Sequence, residues 1–229
     1  MHPLSAELKK GLEGLGLALP ESQQAQLLAY MDLIAKWTKV YNLTAVRDAN
    51  EMLTHHLLDS LAVIAPLHRE LANLSHPDAA MGEPASLVGA QTKFRLLDVG
   101  AGAGLPGIVI AITCPEVAVT CVDTVAKKAA FIQQVAATLR LPNLKGLHAR
   151  VESLTQPYDV VCSRAFASLV DFTTWSRSAL ASHGLWMAMK GKHPHEELAV
   201  LPPDVHVFHV EQLQVPGLDA DRCIVWLRG

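Results

Sequence analysis

An apolar run, FRLLDV (94–99), ends in three alternate glycines, Gly100, Gly102 and Gly104, and then in Pro106 at the head of an apolar stretch. Few features restrict a fold more. Alternate glycines permit positive φ angles without a Cβ clash and let a ligand approach the main chain closely. Pro106 suits a first helical turn, where its missing N–H costs nothing. The pattern predicts a strand, a tight turn and a helix over 105–113, which is the start of a βαβ unit.

Residues beyond the turn repeat this rhythm. VAVTCVD (117–123), LKGLHA (144–149), YDVVCS (158–163) and LWMAMK (185–190) read as strands, with helices predicted over 125–140 and 168–181. Strands alternating with helices imply right-handed crossovers and a parallel sheet covered on both faces. DVHVFHV (204–210) and RCIVWL (222–227) have no helix-length segment between them, so they predict an antiparallel pair at the sheet edge. Residues 1–72 read instead as a small helical extension. Ser5 is placed to cap a first helix, Leu27, Leu28, Met31, Ile34 and Ala35 make one apolar stripe over 22–40, and Asp48 with Glu51 starts a third helix running to about Ala65. Residues 73–92, rich in Gly, Pro, Ser and Asn, read as a loop or linker, leaving 93–229 as the α/β domain.

Asp123 closes the second strand, 21 residues after Gly102, where an acid can accept hydrogen bonds from a ribose diol. Residues 102–107, GAGLPG, satisfy the dinucleotide pattern literally, which keeps a nicotinamide cofactor and an oxidoreductase open. Asp98 argues the other way. A carboxylate two residues before the first glycine repels a pyrophosphate and favours the sulfonium and ammonium groups of S-adenosyl-L-methionine. The weight falls on the latter, and so on a methyltransferase.

Composition narrows the partners. The chain has 229 residues, a formal net charge of −3 and 50% hydrophobic residues, too apolar for general disorder. Residues 124–192 nevertheless carry 9 basic against 3 acidic side chains. A polyanion would therefore meet a local patch, not a basic whole. Apolar stretches such as 108–112 are far shorter than the ~18 residues of a membrane span. MHPLSAELKK does not read as a secretory signal. Cys114, Cys121, Cys162 and Cys223 form no C-x-x-C pair and predict reduced thiols in a cytoplasmic protein without a metal.

Several stretches resemble the bacterial small-subunit rRNA guanine-N7 methyltransferase G family, also called the glucose-inhibited division protein B family. KWTKVYNLTAVRD (36–48) and HHLLDSL (55–61) are similar to its helical signature, and LLDVGAGAGLPG (96–107) to its cofactor turn. SRAFASL (163–169), MKGK (189–192) and QVPGLDADR (214–222) are similar to its later motifs. The insertion at 73–92 is longer than the family usually has. The resemblance implies a class I S-adenosylmethionine-dependent methyltransferase fold, a Rossmann-like seven-stranded sheet. It implies methyl transfer to N7 of a specific guanine in 16S rRNA, with the small ribosomal subunit as partner and a monomeric enzyme. By the same resemblance, cofactor contacts fall on Gly100, Leu105, Val151, Glu152 and Arg164, beside Asp98, Gly102, Gly104 and Asp123.

Guanine N7 has a lone pair and no proton, so such a reaction needs alignment and desolvation rather than a general base. The loop after the fourth strand, CSRAFA, lacks the Asn/Asp-Pro-Pro-aromatic pattern of amine methylation, and Cys162 reads as a buried structural thiol. Arg164 is the expected positioning residue, able to meet a carboxylate, a phosphate or guanine O6. Phe166 is a candidate to stack on an extruded base, and Lys190 and Lys192 to meet phosphates. Tyr41 and Asn42 are expected to fix the helical extension against the sheet. A small-molecule methyltransferase is the alternative enzyme class.

Overall fold

The computed structural model describes residues 2–75 and 93–229. The N-terminal part contains α1 (Ser5–Gly14) and α2 (Glu21–Tyr41), then α3 (Ala49–Met52), a π-helical turn (Leu53–Leu58), α4 (Asp59–Leu61) and α5 (Ile64–Ser75). Asp48 caps α3 as expected: its carboxylate accepts from the N–H groups of Asn50 and Glu51 at 2.9 and 3.0 Å. Ser5 does not cap α1. Leu4 holds the N-cap position, and the Ser5 hydroxyl donates to the His2 carbonyl at 2.8 Å. The third helix is also not continuous to Ala65, because the π turn and a break at residues 62–63 divide it. Asn73–Ser75, expected in the loop, complete α5, and the remainder of that expected linker lies outside the described residues.

The sheet follows as β1 (Phe94–Val99), β2 (Val117–Asp123), β3 (Leu144–His148), β4 (Tyr158–Arg164), β5 (Leu180–Lys190), β6 (His206–Gln212) and β7 (Cys223–Arg228). Between them run α6 (Gly107–Thr113), α7 (Ala126–Thr138), α8 (Leu169–Ser176) and α9 (His195–Ala199). The strand order is β3-β2-β1-β4-β5-β7-β6, with β1 to β5 parallel and β7 antiparallel to both neighbours. The helix predicted over 168–181 ends early. α8 ends at Ser176, Arg177–Ala179 form a 3₁₀ turn, and β5 begins at Leu180.

Two apolar layers cover the sheet. One face packs α6 and α7 together with the N-terminal helices in a single cluster, from Leu8 and Ile34 through Ile108 to Trp226. The helical extension and the sheet therefore share one core. The other face packs α8 and Trp186. Tyr30 ties α2 to the glycine turn: it is fully buried, and its hydroxyl donates to the Ala103 carbonyl at 2.7 Å. Tyr41, by contrast, is exposed and lies tilted against Trp37, with ring centroids 5.0 Å apart. Asn42 ends α2 in the left-handed region with φ 56°. Neither residue packs on the sheet as expected.

Candidate active site

Strand order reverses between β1 and β4, and ligands of open α/β sheets bind beyond the carboxyl ends of the strands at such a switch point. There two cavities meet at Gly100. One, of about 630 Å³, is lined by Gly100, Asp123, Val151, Glu152, Phe166 and Trp175 among others. The other, of about 550 Å³, is lined by Gly100, Gly102, Leu105, Arg164, Lys190 and Arg222, with His56 and Asp59 on its N-terminal side. Both volumes fall within the range of small-molecule sites.

The glycines serve different ends. Gly100, Gly102 and Gly104 all have positive φ, at 67°, 60° and 90°. A Cβ on Gly100 would stand 2.5 Å from the Phe166 ring, and one on Gly104 would strike Ile108 at 2.3 Å. A Cβ on Gly102 would meet nothing closer than the Gly100 carbonyl at 3.9 Å, so its open side faces the cavity. Gly107 is a third tight position. Its missing Cβ leaves room for Cys121 Sγ and the Asp98 carboxylate.

Asp98 is not in either cavity. Its carboxylate lies fully buried beneath the turn and accepts from the Gly107 N–H at 2.8 Å, at the start of α6. Burial pushes its pKa up to about 7, against the lowering effects of that hydrogen bond and the Arg164 charge. The expectation of a carboxylate facing the ligand fails because the side chain of an inward strand position points into the core. Asp123 does line its cavity. One carboxylate oxygen accepts from the Gly102 N–H at 3.0 Å and the other from the Val125 N–H at 2.8 Å, so it braces the glycine turn as well.

Arg164 is held from the N-terminal side. Its Nη1 donates to Asp59 at 2.9 Å and to the His55 carbonyl, in the π turn, at 3.0 Å. Asp59 is 3% exposed and accepts a second cation, Arg222 Nε, at 2.8 Å. One buried carboxylate thus joins α4, the end of β4 and the approach to β7. Sequence reading missed Asp59 and Arg222 as functional residues, although both lie in the quoted stretches HHLLDSL and QVPGLDADR. His56 beside them is hydrogen-bonded to Thr44 at 2.7 Å, and burial followed by the Arg164 charge lowers its pKa.

Phe166, the candidate to stack on an extruded base, lies against Gly100 and packs edge-on to Trp175, lining the Asp123 cavity and not the Arg164 cavity. Lys190 reaches the Arg164 cavity, but its Nζ donates to both Glu197 oxygens at 2.8 and 2.9 Å, which neutralises its charge. Lys192 stands exposed in the adjoining hollow. Among the described residues no helix is long and apolar enough to cross a membrane.

A doubly wound dinucleotide-binding sheet runs parallel through its sixth strand. Here β7 inserts antiparallel between β5 and β6, and the sheet is that of a class I S-adenosylmethionine-dependent methyltransferase. An Aquifex aeolicus SAM-dependent methyltransferase has the same fold, with a TM-score of 0.51 at 14% identity over 77% of this chain and 92% of that one. The rRNA small subunit methyltransferase G pattern matches residues 23–75 and 83–225, and the chain belongs to that family. The Ribosomal RNA small subunit methyltransferase G of Polaromonas sp. (strain JS666 / ATCC BAA-500) is 68% identical over 97% of this chain and 92% of its own length. That of Polaromonas naphthalenivorans (strain CJ2) is 64% identical over 98% and 96%.

Proposed function

We propose that the chain transfers the methyl group of S-adenosyl-L-methionine to N7 of a specific guanine in 16S rRNA. The observation that carries this reading is the junction of the two cavities at Gly100, in a chain of this family. The residues present fit the cofactor. Asp123 and the Phe166–Trp175 wall suit a ribose and an adenine, with Val151 and Glu152 at the far rim. Gly102 presents main chain to open space, where the methionine portion would pass towards Arg164. When bound, the cofactor offers a sulfonium methyl that N7 attacks in line, the C–S electron pair returning to sulfur with no proton moved.

The protein's part is alignment. Both Nη1 protons of Arg164 are engaged by Asp59 and His55, leaving Nε and Nη2 without an acceptor among the described residues. A guanidinium clamped in this way can receive the methionine carboxylate or guanine O6 without first losing rotamer freedom. Leu105, itself buried, and His56 line the same cavity. The reading extends to a monomer acting in the cytoplasm on the small ribosomal subunit or its precursor.

The test supplies methyl-labelled cofactor with small subunits or 16S rRNA lacking the modification and reads the product nucleoside. Label in 7-methylguanosine at one rRNA position supports the reading. Label confined to small molecules assigns the alternative enzyme class. Asp123→Ala should weaken cofactor binding by roughly 1.5–3 kcal/mol, the range for hydrogen bonds to a charged group, measured by calorimetry. Gly102→Val should abolish it in a folded protein, because the added side chain enters the cavity and a β-branched residue is strained at φ 60°.

The cations divide by their pairing. Arg164, Arg222 and Lys190 are bound to carboxylates, whereas Arg47 donates only to the Thr38 carbonyl and the Asn42 amide oxygen and keeps its full charge. Lys192 has no carboxylate partner among the described residues. RNA phosphates should therefore meet Lys192 and Arg47 before Lys190. Lys192→Ala should flatten the salt dependence of RNA binding by one contact, about 0.7 in the logarithmic slope for a single strand, and Lys190→Ala by much less. Binding isotherms over a salt series separate the two.

A further inference from the structure

Parallel strands place the two ends of α6 at opposite edges of the sheet. Gly107 starts the helix at the glycine turn, and seven residues later, about 10 Å along the axis, the chain reaches Cys114, Pro115 and Glu116 before β2. His68 of α5 packs here. Its Nε2 lies 3.2 Å from Cys114 Sγ and 3.5 Å from a Glu116 carboxylate oxygen, and the three donor atoms all fall within 4.8 Å of one another. None of the three residues lines either active-site cavity.

We propose that His68, Cys114 and Glu116 bind a zinc-class divalent cation that joins the helical extension to the sheet. Tetrahedral zinc, with bonds of about 2.0–2.3 Å, sets N and O donors about 3.4 Å apart and N and S donors about 3.5–3.6 Å apart; the His68–Glu116 separation of 3.5 Å meets the first, and the His68–Cys114 separation of 3.2 Å must widen by about 0.3 Å to admit the ion. The donor set selects the metal: thiolate and imidazole suit zinc or cobalt, whereas magnesium and calcium require oxygen. Three protein ligands leave a fourth position for water.

The backbone around the ligands is already held. The Cys114 N–H donates to Ile110 at 2.8 Å, the Val117 N–H to the Cys114 carbonyl at 3.0 Å, and the Lys93 N–H to the Glu116 carbonyl at 2.7 Å. Cys114 is buried, but the His68 and Glu116 side chains are 49% and 38% exposed, which gives the ion an entry side. Binding replaces the thiol proton, which leaves to solvent. The expectation of a metal-free protein is revised by this proposal, because His68 and Cys114 are 46 residues apart in sequence and show no ligand spacing.

Chelator-treated full-length protein titrated with cobalt(II) tests it. One equivalent should bind with a thiolate-to-cobalt charge-transfer band in the near ultraviolet, and zinc should displace it. Cys114→Ser should lose the band. Glu116→Gln, a half-exposed change that spares the core, should weaken binding more than about tenfold, as should His68→Ala. Zinc should raise the melting temperature of the wild-type protein and leave that of Glu116→Gln nearly unchanged. No band in the wild-type protein, or a band that survives both Glu116→Gln and His68→Ala, overturns the proposal and leaves a thiol–imidazole hydrogen bond.

Discussion

Asp59→Ala should lower the stability of the protein by about 3–5 kcal/mol, the cost of removing one partner from a buried ion pair. The carboxylate is almost fully buried and receives Arg164 and Arg222 at 2.9 and 2.8 Å. Its loss leaves two like charges converging on one vacated position, and each is only partly able to turn towards water. Asp59→Asn keeps the shape but presents an amide N–H₂ to one of the arginines, so it should recover little. Arg222→Ala should cost less than Asp59→Ala, because Arg164 still neutralises the carboxylate. Denaturant titration of the three variants checks the order. If Arg222→Ala proves the costliest, the carboxylate is not the centre of the network. Methyl transfer in Asp59→Ala should fall further than its folded fraction accounts for, since Arg164 loses the contact that orients it.

Asp98 should make the protein less stable as pH rises from about 5 to 8. Its native carboxyl is pushed up to about 7 by burial, while the unfolded chain returns it to its ordinary value near 4. Between those values the native state holds the proton more tightly than the unfolded state. Stability therefore falls as pH rises through this window and levels off above the native pKa. From pH 5 to pH 8 the loss from this group should be roughly 2–3 kcal/mol. Asp98→Asn removes the titration while its amide oxygen still accepts from Gly107, so the variant should be the more stable protein at pH 8. Urea midpoints at the two pH values decide this. An unchanged pH dependence in Asp98→Asn would mean that Asp98 is ionised in the native state throughout.

Both effects arise at places where the residue type was visible and its surroundings were not. The motif LLDVGAGAGLPG displays Asp98 beside the glycines, and the chemistry of a carboxylate near a cationic cofactor follows from that adjacency. Whether the carboxylate faces the ligand depends on which face of β1 it occupies and on what packs there. Gly107 and Cys121 close over it, and the cavity lies beyond. Phe166 is a similar case: a flexible aromatic after β4 could turn to either cavity, and the absent Cβ of Gly100 admits it to one of them.

Strand positions were legible because buried parallel strands are short apolar runs bounded by turn residues, so β1 and β2 coincide with FRLLDV and VAVTCVD. The antiparallel edge was legible because a missing helix between two strands rules out a parallel crossover. Glycine at positive φ and an acid at the end of β2 are local properties, and local sequence is enough to specify them. The partner of Arg164 is a different kind of fact. Asp59 lies 105 residues from Arg164 and 163 from Arg222, and His68 lies 46 from Cys114. No spacing rule connects them. Charge pairing and metal-ligand geometry act over a few ångströms, and burial of a core shared by the helices and the sheet brings those residues within reach. The sequence by itself determined the elements, the glycine turn and the residues able to act; tertiary packing decided which charges are already paired and which remain free for a ligand.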